Sequence, residues 1–93
     1  MTDKEFSRKL EIRNKLGLHA RASARFVQAV ARFEAEIKVE KDGMQVGGDS
    51  IMGLMMLAAA PGSSITIRAR GREARQALRA LAELVQGRFG EEA

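Results

Sequence analysis

The sequence predicts a two-layer α+β domain with the element order β-α-β-β-α-β-α, in which the helices cover one face of a sheet. Three observations lead to this prediction. Four short segments alternate apolar and polar residues, which is typical of strands that bury only one face. Two longer segments repeat apolar residues at helical spacing. The 93 residues, 45% of them hydrophobic, are enough for one modest core.

The first third of the chain predicts a strand, a turn and a helix. Leu10 and Ile12 alternate with charged residues in the strand, and a turn at residues 14–17 leads to a helix over residues 20–33. The apolar stripe of this helix consists of Ala22, Phe26, Val30 and Phe33. A separate stripe carries three cations, because steps of four and seven residues return to the same side of a helix. These cations are Arg21, Arg25 and Arg32.

The middle of the chain predicts a hairpin and a short helix. Ile37 and Val39 alternate with charged residues in a second strand. Asp42-Gly43 is a typical tight-turn pair and leads to a short third strand around residues 44–46. A short helix then follows over residues 50–57.

The last third predicts a fourth strand and a final helix. Ile65, Ile67 and Ala69 alternate with polar residues in the strand. A helix over residues 72–86 buries one apolar face and stops at Gly87. That face consists of Ala74, Ala77, Leu78, Leu81, Leu84 and Val85.

The composition indicates one small domain. We expect residues 1–93 to form it, with an ordered core at about residues 6–89 and frayed ends at residues 1–5 and 90–93. The sequence has no cysteine, so it forms neither a disulfide nor a thiolate metal site. The longest apolar stretch is about half the length needed to span a bilayer, and the N-terminus lacks the apolar run of a signal peptide. We therefore expect a cytoplasmic protein without membrane insertion.

The net charge of +4 raises the question of nucleic-acid binding. The positive charge is concentrated in residues 1–33, which carry a net +5, while residues 34–50 carry −3 and residues 51–93 carry +2. Proteins that bind single-stranded nucleic acid stack bases on aromatic side chains, but the only aromatic residues here are four phenylalanines. The GxxG-like residues 87–90 also lack a following helix. A basic face that docks an acidic protein is favoured over a small basic RNA-binding module.

The single histidine of the chain, His19, lies where the predicted turn meets the first helix. Histidine has an unperturbed pKa of about 6.5 and so offers a neutral nitrogen nucleophile at cell pH. Backbone N–H groups at Ala20 and Arg21, with the Arg21 guanidinium, suit a phosphate at the helix start. Gly17 lets the backbone turn so that the imidazole faces outward. Ser23 is interpreted as a polar residue of the helix start rather than as a phosphate contact. The pattern indicates a phosphoryl-carrying histidine, although a lone histidine here is more often a cap or a surface residue.

Two motifs at matching spacing strengthen this interpretation. Gly17-Leu18-His19-Ala20-Arg21 resembles the active-site motif of HPr, the histidine-containing phosphocarrier of bacterial phosphoenolpyruvate-dependent phosphotransferase systems. Residues 50–57, Ser-Ile-Met-Gly-Leu-Met-Met-Leu, resemble the regulatory-serine helix of that family. One departure is Ala22, where many members of the family have proline. Because alanine favours helices but does not fix φ, we expect altered tuning of the first turn and not lost function.

The resemblance implies a fold, a reaction and partners. The fold is an open-faced β-sandwich, in which three helices cover one face of a four-stranded antiparallel sheet. His19 would accept a phosphoryl group on Nδ1 from phospho-Enzyme I and donate it to an Enzyme IIA domain, while Arg21 stabilises the phosphate. The protein would then be a phosphoryl carrier and not an enzyme. We expect a monomer without a cofactor or a metal ion.

Ser50 has two interpretations that can both hold. Its hydroxyl is well suited to cap the short helix that follows. The resemblance adds phosphorylation of this serine by an ATP-dependent HPr kinase/phosphorylase. A purely regulatory HPr-like effector controlled at Ser50 is therefore an alternative function, although the presence of His19 argues against loss of the carrier role.

The short helix cannot bury all of its large apolar side chains at once. We assign Leu54 and Leu57 to the core, and we assign other side chains to a partner-docking surface, where flexible methionine suits several partners. This docking surface consists of Ile51, Met52, Met55, Arg21 and Arg25. The sequence leaves open whether the acceptor is a sugar-linked Enzyme IIA or one of a nitrogen-related, regulatory phosphotransfer chain.

Overall fold

The chain forms four strands and three α-helices in the predicted order. The computed structural model describes residues 4–92. The elements are β1 (Glu5–Glu11), α1 (Ala20–Val30), β2 (Glu36–Lys41), β3 (Met44–Gly47), α2 (Ile51–Met56), β4 (Ser64–Arg70) and α3 (Ala74–Gln86), followed by a 3₁₀ turn at Arg88–Gly90. No helix in this part of the chain is long and apolar enough to cross a membrane.

The four strands form one antiparallel sheet in the order β1-β4-β2-β3. Ile65 of β4 lies opposite Leu10 of β1, and Ile67 of β4 lies opposite Val39 of β2. Because these apolar residues share a register, their side chains lie on one face of the sheet. The three helices cover this buried face, which confirms the predicted open-faced α+β architecture.

The other face of the sheet is polar. Arg68 and Arg70 of β4 donate to glutamates of the neighbouring strand β2. Arg68 donates to Glu40 at 2.9 Å, and Arg70 donates to Glu36 at 3.0 Å. The hydrogen bond and the charge of Glu40 raise the pKa of Arg68 above its ordinary value. Half-exposed ion pairs of this kind contribute little to stability, so the buried face supplies most of the stabilisation of the sheet.

The helix bounds differ from the prediction at the end of α1, at the start of α3 and by one residue at each end of α2. α1 stops at Val30 because the amides of Arg32 and Phe33 donate to carbonyls three residues back, which tightens the chain into a final turn. Phe33 is consequently half-buried beyond the helix and not part of its buried stripe. α3 begins at Ala74 rather than at residue 72.

The core face of α3 is narrower than predicted. Leu78 and Leu84 are only half-buried, whereas Ala82, which the apolar pattern did not include, is fully buried. The residues of this helix that are buried are Ala74, Ala77, Leu81, Ala82 and Val85. Small side chains at three of these positions let the helix lie close to the sheet.

The expectation of frayed ends is wrong where the structure describes them. β1 already begins at Glu5. At the other end, Phe89 is fully buried, and Glu91 is half-buried with side-chain hydrogen bonds. Burial of the Phe89 ring offsets the entropy that a free end would retain. The predicted fraying at residues 1–3 and 93 lies outside the described residues.

Candidate functional site

His19 lies at the N-cap of α1, where its backbone is extended and its carbonyl accepts the first helical hydrogen bond, from Ser23 N at 2.9 Å. The preceding loop is tied to the segment after α2, because Leu18 N donates to Ala59 O at 3.0 Å. Gly17 has φ +67°, and a Cβ at this position would lie 2.3 Å from Ala59 O. A glycine is therefore required for the close approach that aims the loop outward.

Ser23 is buried and acts as a polar residue of the helix start, as predicted, rather than as a phosphate contact. Its Oγ donates to Leu18 O at 3.2 Å, across the loop that carries His19. The hydroxyl thus fixes the loop against the first turn of α1 and faces away from solvent.

The His19 imidazole is held from one side. Its Nε2 lies 2.6 Å from Glu91 Oε2, and the two side chains are 24% and 14% exposed. When the ring is neutral, only a protonated Nε2 can donate to the carboxylate, so the lone pair lies on Nδ1. Nδ1 has no hydrogen-bond partner among residues 4–92. The contact with Glu91 therefore leaves Nδ1 as the ring nitrogen without a partner among the described residues.

Asn14 orients the Glu91 carboxylate. The fully buried amide Nδ2 donates to Glu91 Oε1 at 3.0 Å and to Gly17 O at 2.8 Å, which links the loop to the carboxylate. Burial raises the pKa of Glu91, but hydrogen bonds from Asn14 and His19 and the charges of His19 and Arg25 outweigh it, so the pKa lies below its ordinary value. The folded protein therefore favours the ionised form of Glu91.

Asn14 and Glu91 are the site residues that sequence reasoning missed. Asn14 fell in a segment interpreted as an ordinary turn, and Glu91 fell in an end expected to fray. They are 77 positions apart, so no local pattern joins them. The only available signal was Phe89, a large apolar residue just beyond the last helix, which would be costly to leave in solvent.

The C-terminal segment, residues 87–92, folds back onto α1. Arg88, Phe89 and Gly90 all have positive φ, at 59°, 55° and 77°, which reverses the chain direction after α3. Within this turn Gly90 N donates to Gly87 O, and Glu91 N donates to Arg88 O. Arg25 Nη1 donates to the carbonyl of Phe89. The segment thereby delivers the side chain of Glu91 to His19.

The first turn of α1 provides donors beside Nδ1. The backbone N–H groups of Ala20, Arg21 and Ala22 precede the first helical hydrogen bond and have no partner within residues 4–92. The N–H of Ala22 would be absent if proline stood there. Arg21 is exposed and forms no ion pair in the described part of the chain. Three amides and one guanidinium can therefore converge on an anion at this helix start.

α2 lies beside the site and exposes an apolar surface. Ser50 Oγ accepts from Gly53 N at 2.9 Å, which confirms its predicted role as the helix cap. Leu54 and Leu57 are buried as predicted. The exposed fractions are 41% for Ile51, 72% for Met52, 45% for Met55 and 64% for Met56. Met56 thus adds to the apolar surface that the sequence predicted.

Two surface clefts differ in chemistry. An open cleft of about 330 Å³ connects His19 to Met55 and Pro61, so the imidazole and α2 share one surface. A larger cleft of about 470 Å³ lies on the polar side of the sheet, near Lys9 and Glu40. It contains no nucleophile comparable to imidazole. We therefore assign the chemistry to the smaller cleft.

Residues 4–92 contain no cluster of metal ligands, and two of the four phenylalanines are fully buried while Phe6 and Phe33 are half-buried. No group of three or more histidine, cysteine, aspartate or glutamate side chains lies close enough together to hold a metal ion. The GxxG-like residues 87–90 form a turn that buries Phe89, and Phe26 is also fully buried. This burial argues against the RNA-binding alternative.

Comparison with known proteins identifies the family of the chain. The family description "PTS HPr component phosphorylation site" matches residues 6–87. Phosphocarrier protein HPr of Neisseria meningitidis is 52% identical over 82 residues, 88% of this chain and 92% of that protein. The HPr-like protein Crh of Bacillus subtilis is 47% identical over 78 residues, 84% of this chain and 92% of that protein. The crystal structure of HPr from Thermoanaerobacter tengcongensis has a TM-score of 0.90 at 42% identity, covering 95% of this chain and 99% of that one. The chain therefore belongs to the HPr family of phosphocarrier proteins of the phosphotransferase system.

Proposed function

We propose that His19 accepts a phosphoryl group on Nδ1 from phospho-Enzyme I and donates it to an Enzyme IIA domain. The observation that carries the proposal is the 2.6 Å contact between Nε2 and the Glu91 carboxylate. This contact favours the proton on Nε2 and the lone pair on Nδ1, in a residue that caps a helix start with unpaired amides.

The transfer step follows from this geometry. The Nδ1 lone pair attacks phosphorus, a nitrogen–phosphorus bond forms, and the bond between phosphorus and its donor breaks. The ring keeps its Nε2 proton, so positive charge develops on the imidazole and the Glu91 carboxylate stabilises it. Arg21 and the amides of Ala20 and Ala22 offset the negative charge on the phosphoryl oxygens. Because the site is open, the reverse attack by an acceptor needs no rearrangement of the fold.

The partners are proposed from the surface around His19. Met55 lines the same cleft as the imidazole, and Ile51 and Met52 are exposed on the same helix, so this surface provides apolar contact. Arg21 and Arg25 provide positive charge for acidic partner groups. We assign this docking surface to both Enzyme I and Enzyme IIA, with the protein acting as a monomer in the cytoplasm. A sugar-linked and a nitrogen-related Enzyme IIA fit this surface equally well.

Regulation at Ser50 is the finer part of the proposal. HPr kinase/phosphorylase would phosphorylate the hydroxyl that now accepts from Gly53 N. The half-buried Ser50 lies directly before Ile51 and Met52, so a phosphate here would add charge to the docking surface.

A purely regulatory effector is the second candidate. Its support is the similarity to a protein named HPr-like protein Crh, a structure of which carries "catabolite repression" in its description. The two candidates differ at His19, since a regulatory effector controlled at Ser50 needs no reactive imidazole. The oriented ring and its ionised partner therefore favour the carrier.

Incubation with phosphoenolpyruvate and Enzyme I tests the carrier function. We expect the protein to gain one acid-labile, base-stable phosphate, because a phosphoimidazole hydrolyses in acid. His19→Ala should keep its circular dichroism spectrum and gain no label. Labelling of the folded His19→Ala protein, or an acid-stable label on the unsubstituted protein, would contradict the assignment.

A further inference from the structure

The carboxylate that orients His19 belongs to a part of the chain outside the helices and strands. α3 ends at Gln86, and Glu91 lies in the C-terminal segment beyond it. The Glu91 amide donates to Arg88 O, a bond within the segment itself. The position of the Glu91 backbone thus depends on the contacts between the C-terminal segment and the rest of the fold.

Besides the hydrogen bond from Asn14 to the Glu91 side chain, two contacts fix the backbone of the C-terminal segment to the fold. The ring of Phe89 is fully buried in the core, and the carbonyl of Phe89 accepts from Arg25 Nη1. The buried ring fixes how close the segment lies to the core. The hydrogen bond to the Phe89 carbonyl fixes how the backbone on either side of the ring is oriented. The second contact matters because the glycines on either side of the turn, Gly87 and Gly90, give the backbone little resistance to reorientation.

We infer that Arg25 is a positioning residue for His19. By holding the Phe89 carbonyl, Arg25 keeps the Glu91 carboxylate on Nε2 and so keeps Nδ1 as the nitrogen that receives the phosphoryl group. This inference rests on the proposed function of His19. Arg25 lies a full helical turn beyond Arg21 and acts on the imidazole through residues 89–91.

Two further observations support this role. Arg25 is half-buried, whereas Arg21 and Arg32 on the same stripe of the sequence are exposed, so Arg25 is the arginine of this stripe that contacts the C-terminal segment. The positive charge of Arg25 also lowers the pKa of Glu91 and favours the ionised carboxylate. Arg25 therefore both orients the partner of His19 and keeps that partner charged.

Substitution of Arg25 by methionine and by lysine tests the inference. Arg25→Met keeps an unbranched side chain that can pack like the arginine stem but removes its donors, and Arg25→Lys keeps a charged donor. Arg32→Met is the matched control, because Arg32 lies seven positions further along and donates to no backbone carbonyl in the described residues. Circular dichroism and thermal unfolding confirm that each variant is folded.

The primary measurement is the nitrogen-15 spectrum of the His19 ring at a pH where the ring is neutral. We expect Arg25→Met to lower the population protonated on Nε2 and to raise that protonated on Nδ1. Exchange of the Glu91 amide should become faster, and single-turnover phosphorylation by phospho-Enzyme I should slow by about threefold to tenfold. Arg25→Lys should recover part of each effect, and Arg32→Met should resemble the unsubstituted protein.

Gly90→Ala approaches the same contact from the other side. A Cβ on Gly90 would lie 3.2 Å from Arg25 Nη1 at a φ of +77°, so alanine should displace the carbonyl bond. The combination of Gly90→Ala with Arg25→Met should perturb the ring little more than either change alone, because both remove one interaction.

The outcomes separate this inference from the proposed function. An unchanged ring spectrum and unchanged transfer in folded Arg25→Met would overturn the positioning role. Slower transfer with an unchanged ring spectrum would also overturn it and would assign Arg25 to docking alone. Absence of phosphoenolpyruvate-dependent label on the unsubstituted protein would contradict the carrier function, whereas a ring shift in Arg25→Met would still establish the contact.

Discussion

At the scale of single residues, Arg21 and Arg25 show how one helix gives two arginines different tasks. They are four positions apart on α1, yet Arg21 is exposed and free of ion pairs in the described chain, while Arg25 donates to a backbone carbonyl. A guanidinium that is free before phosphate arrives need not break an existing contact in order to bind it. Arg21 is therefore available to the phosphoryl group directly.

Arg21→Ala should slow phosphoryl transfer to and from His19. Loss of one charge-assisted hydrogen bond to phosphate corresponds to about 1.5–3 kcal/mol, or roughly tenfold to a hundredfold in rate, if the bond is fully formed in the transition state. Quench-flow measurement with phospho-Enzyme I checks this, with Arg32→Ala as the control. Rates for Arg21→Ala equal to those of the control would reduce Arg21 to surface charge.

The residues of the site divide into those that local sequence reveals and those that it does not. His19, Arg21 and Gly17 are neighbours in the chain, and the chemistry of each follows from a helix start. Asn14 and Glu91 meet only because a buried ring brings the end of the described chain back to its beginning. Contacts of this kind depend on tertiary packing, which periodicity does not encode.

At the scale of elements, α2 combines a cap and an exposed apolar face in six residues. Ser50 satisfies one backbone donor at the start of the helix, and the exposed side chains follow immediately. A substitution or modification of Ser50 can therefore alter the docking surface directly, without a change in the packing of the core.

Ser50→Asp should weaken the apparent affinity for Enzyme I. Aspartate can cap the helix, so the fold should survive, but its charge would have to be desolvated against Ile51 and Met52 during docking. Titration of Enzyme I against the variant and against the Ser50-phosphorylated protein measures this effect, which should be larger for the phosphate because it carries nearly two charges.

Ser50→Ala serves as the matched control. It should keep near-normal transfer from Enzyme I, lose labelling by the ATP-dependent kinase and lose about 1 kcal/mol of stability with the cap. Equal affinities and rates for the phosphorylated and unmodified proteins would leave Ser50 with the role of a helix cap alone.

The elements themselves were largely predictable, and so were the start of α1 and the end of α3, but other helix ends were not. The alternation of Ile65, Ile67 and Ala69 with polar residues predicts a strand without knowledge of its neighbouring strands. A strand with one buried face places every second side chain in the core. The C-terminal end of α1 at Val30 instead reflects a tightened last turn. Phe33 is apolar and three positions after Val30, so the sequence pattern alone extends the helix to it. A period identifies an element, whereas its last residue depends on competing hydrogen bonds.

At the scale of the whole molecule, Glu91 links the stability of the fold to pH. The carboxylate faces Asn14, His19 and Arg25, and its pKa in the folded state lies below the ordinary value of 4.5. Folding therefore favours the ionised form. The resulting stabilisation is complete above the ordinary pKa and is lost as the pH falls through the folded-state pKa.

Glu91→Gln should remove this part of the pH dependence. Denaturant unfolding at a series of pH values should show the unsubstituted protein to be more stable than the variant above about pH 5, with the difference shrinking as the solution is acidified. The exposed neighbour Glu92 gives the control Glu92→Gln, which should follow the unsubstituted protein. A constant difference between Glu91→Gln and the unsubstituted protein across the acid range would show that the carboxyl charge adds nothing to the fold.

The pairing of His19 with Glu91 has a consequence for the timing of synthesis. The two residues are 72 positions apart, so a ribosome completes α1 and the whole sheet long before it adds the carboxylate. A nascent chain that ends before Phe89 carries the reactive histidine without the partner that orients it. We therefore expect a chain cut before Phe89 to accept phosphate from phospho-Enzyme I more slowly than a chain that includes Glu91, although both contain the imidazole.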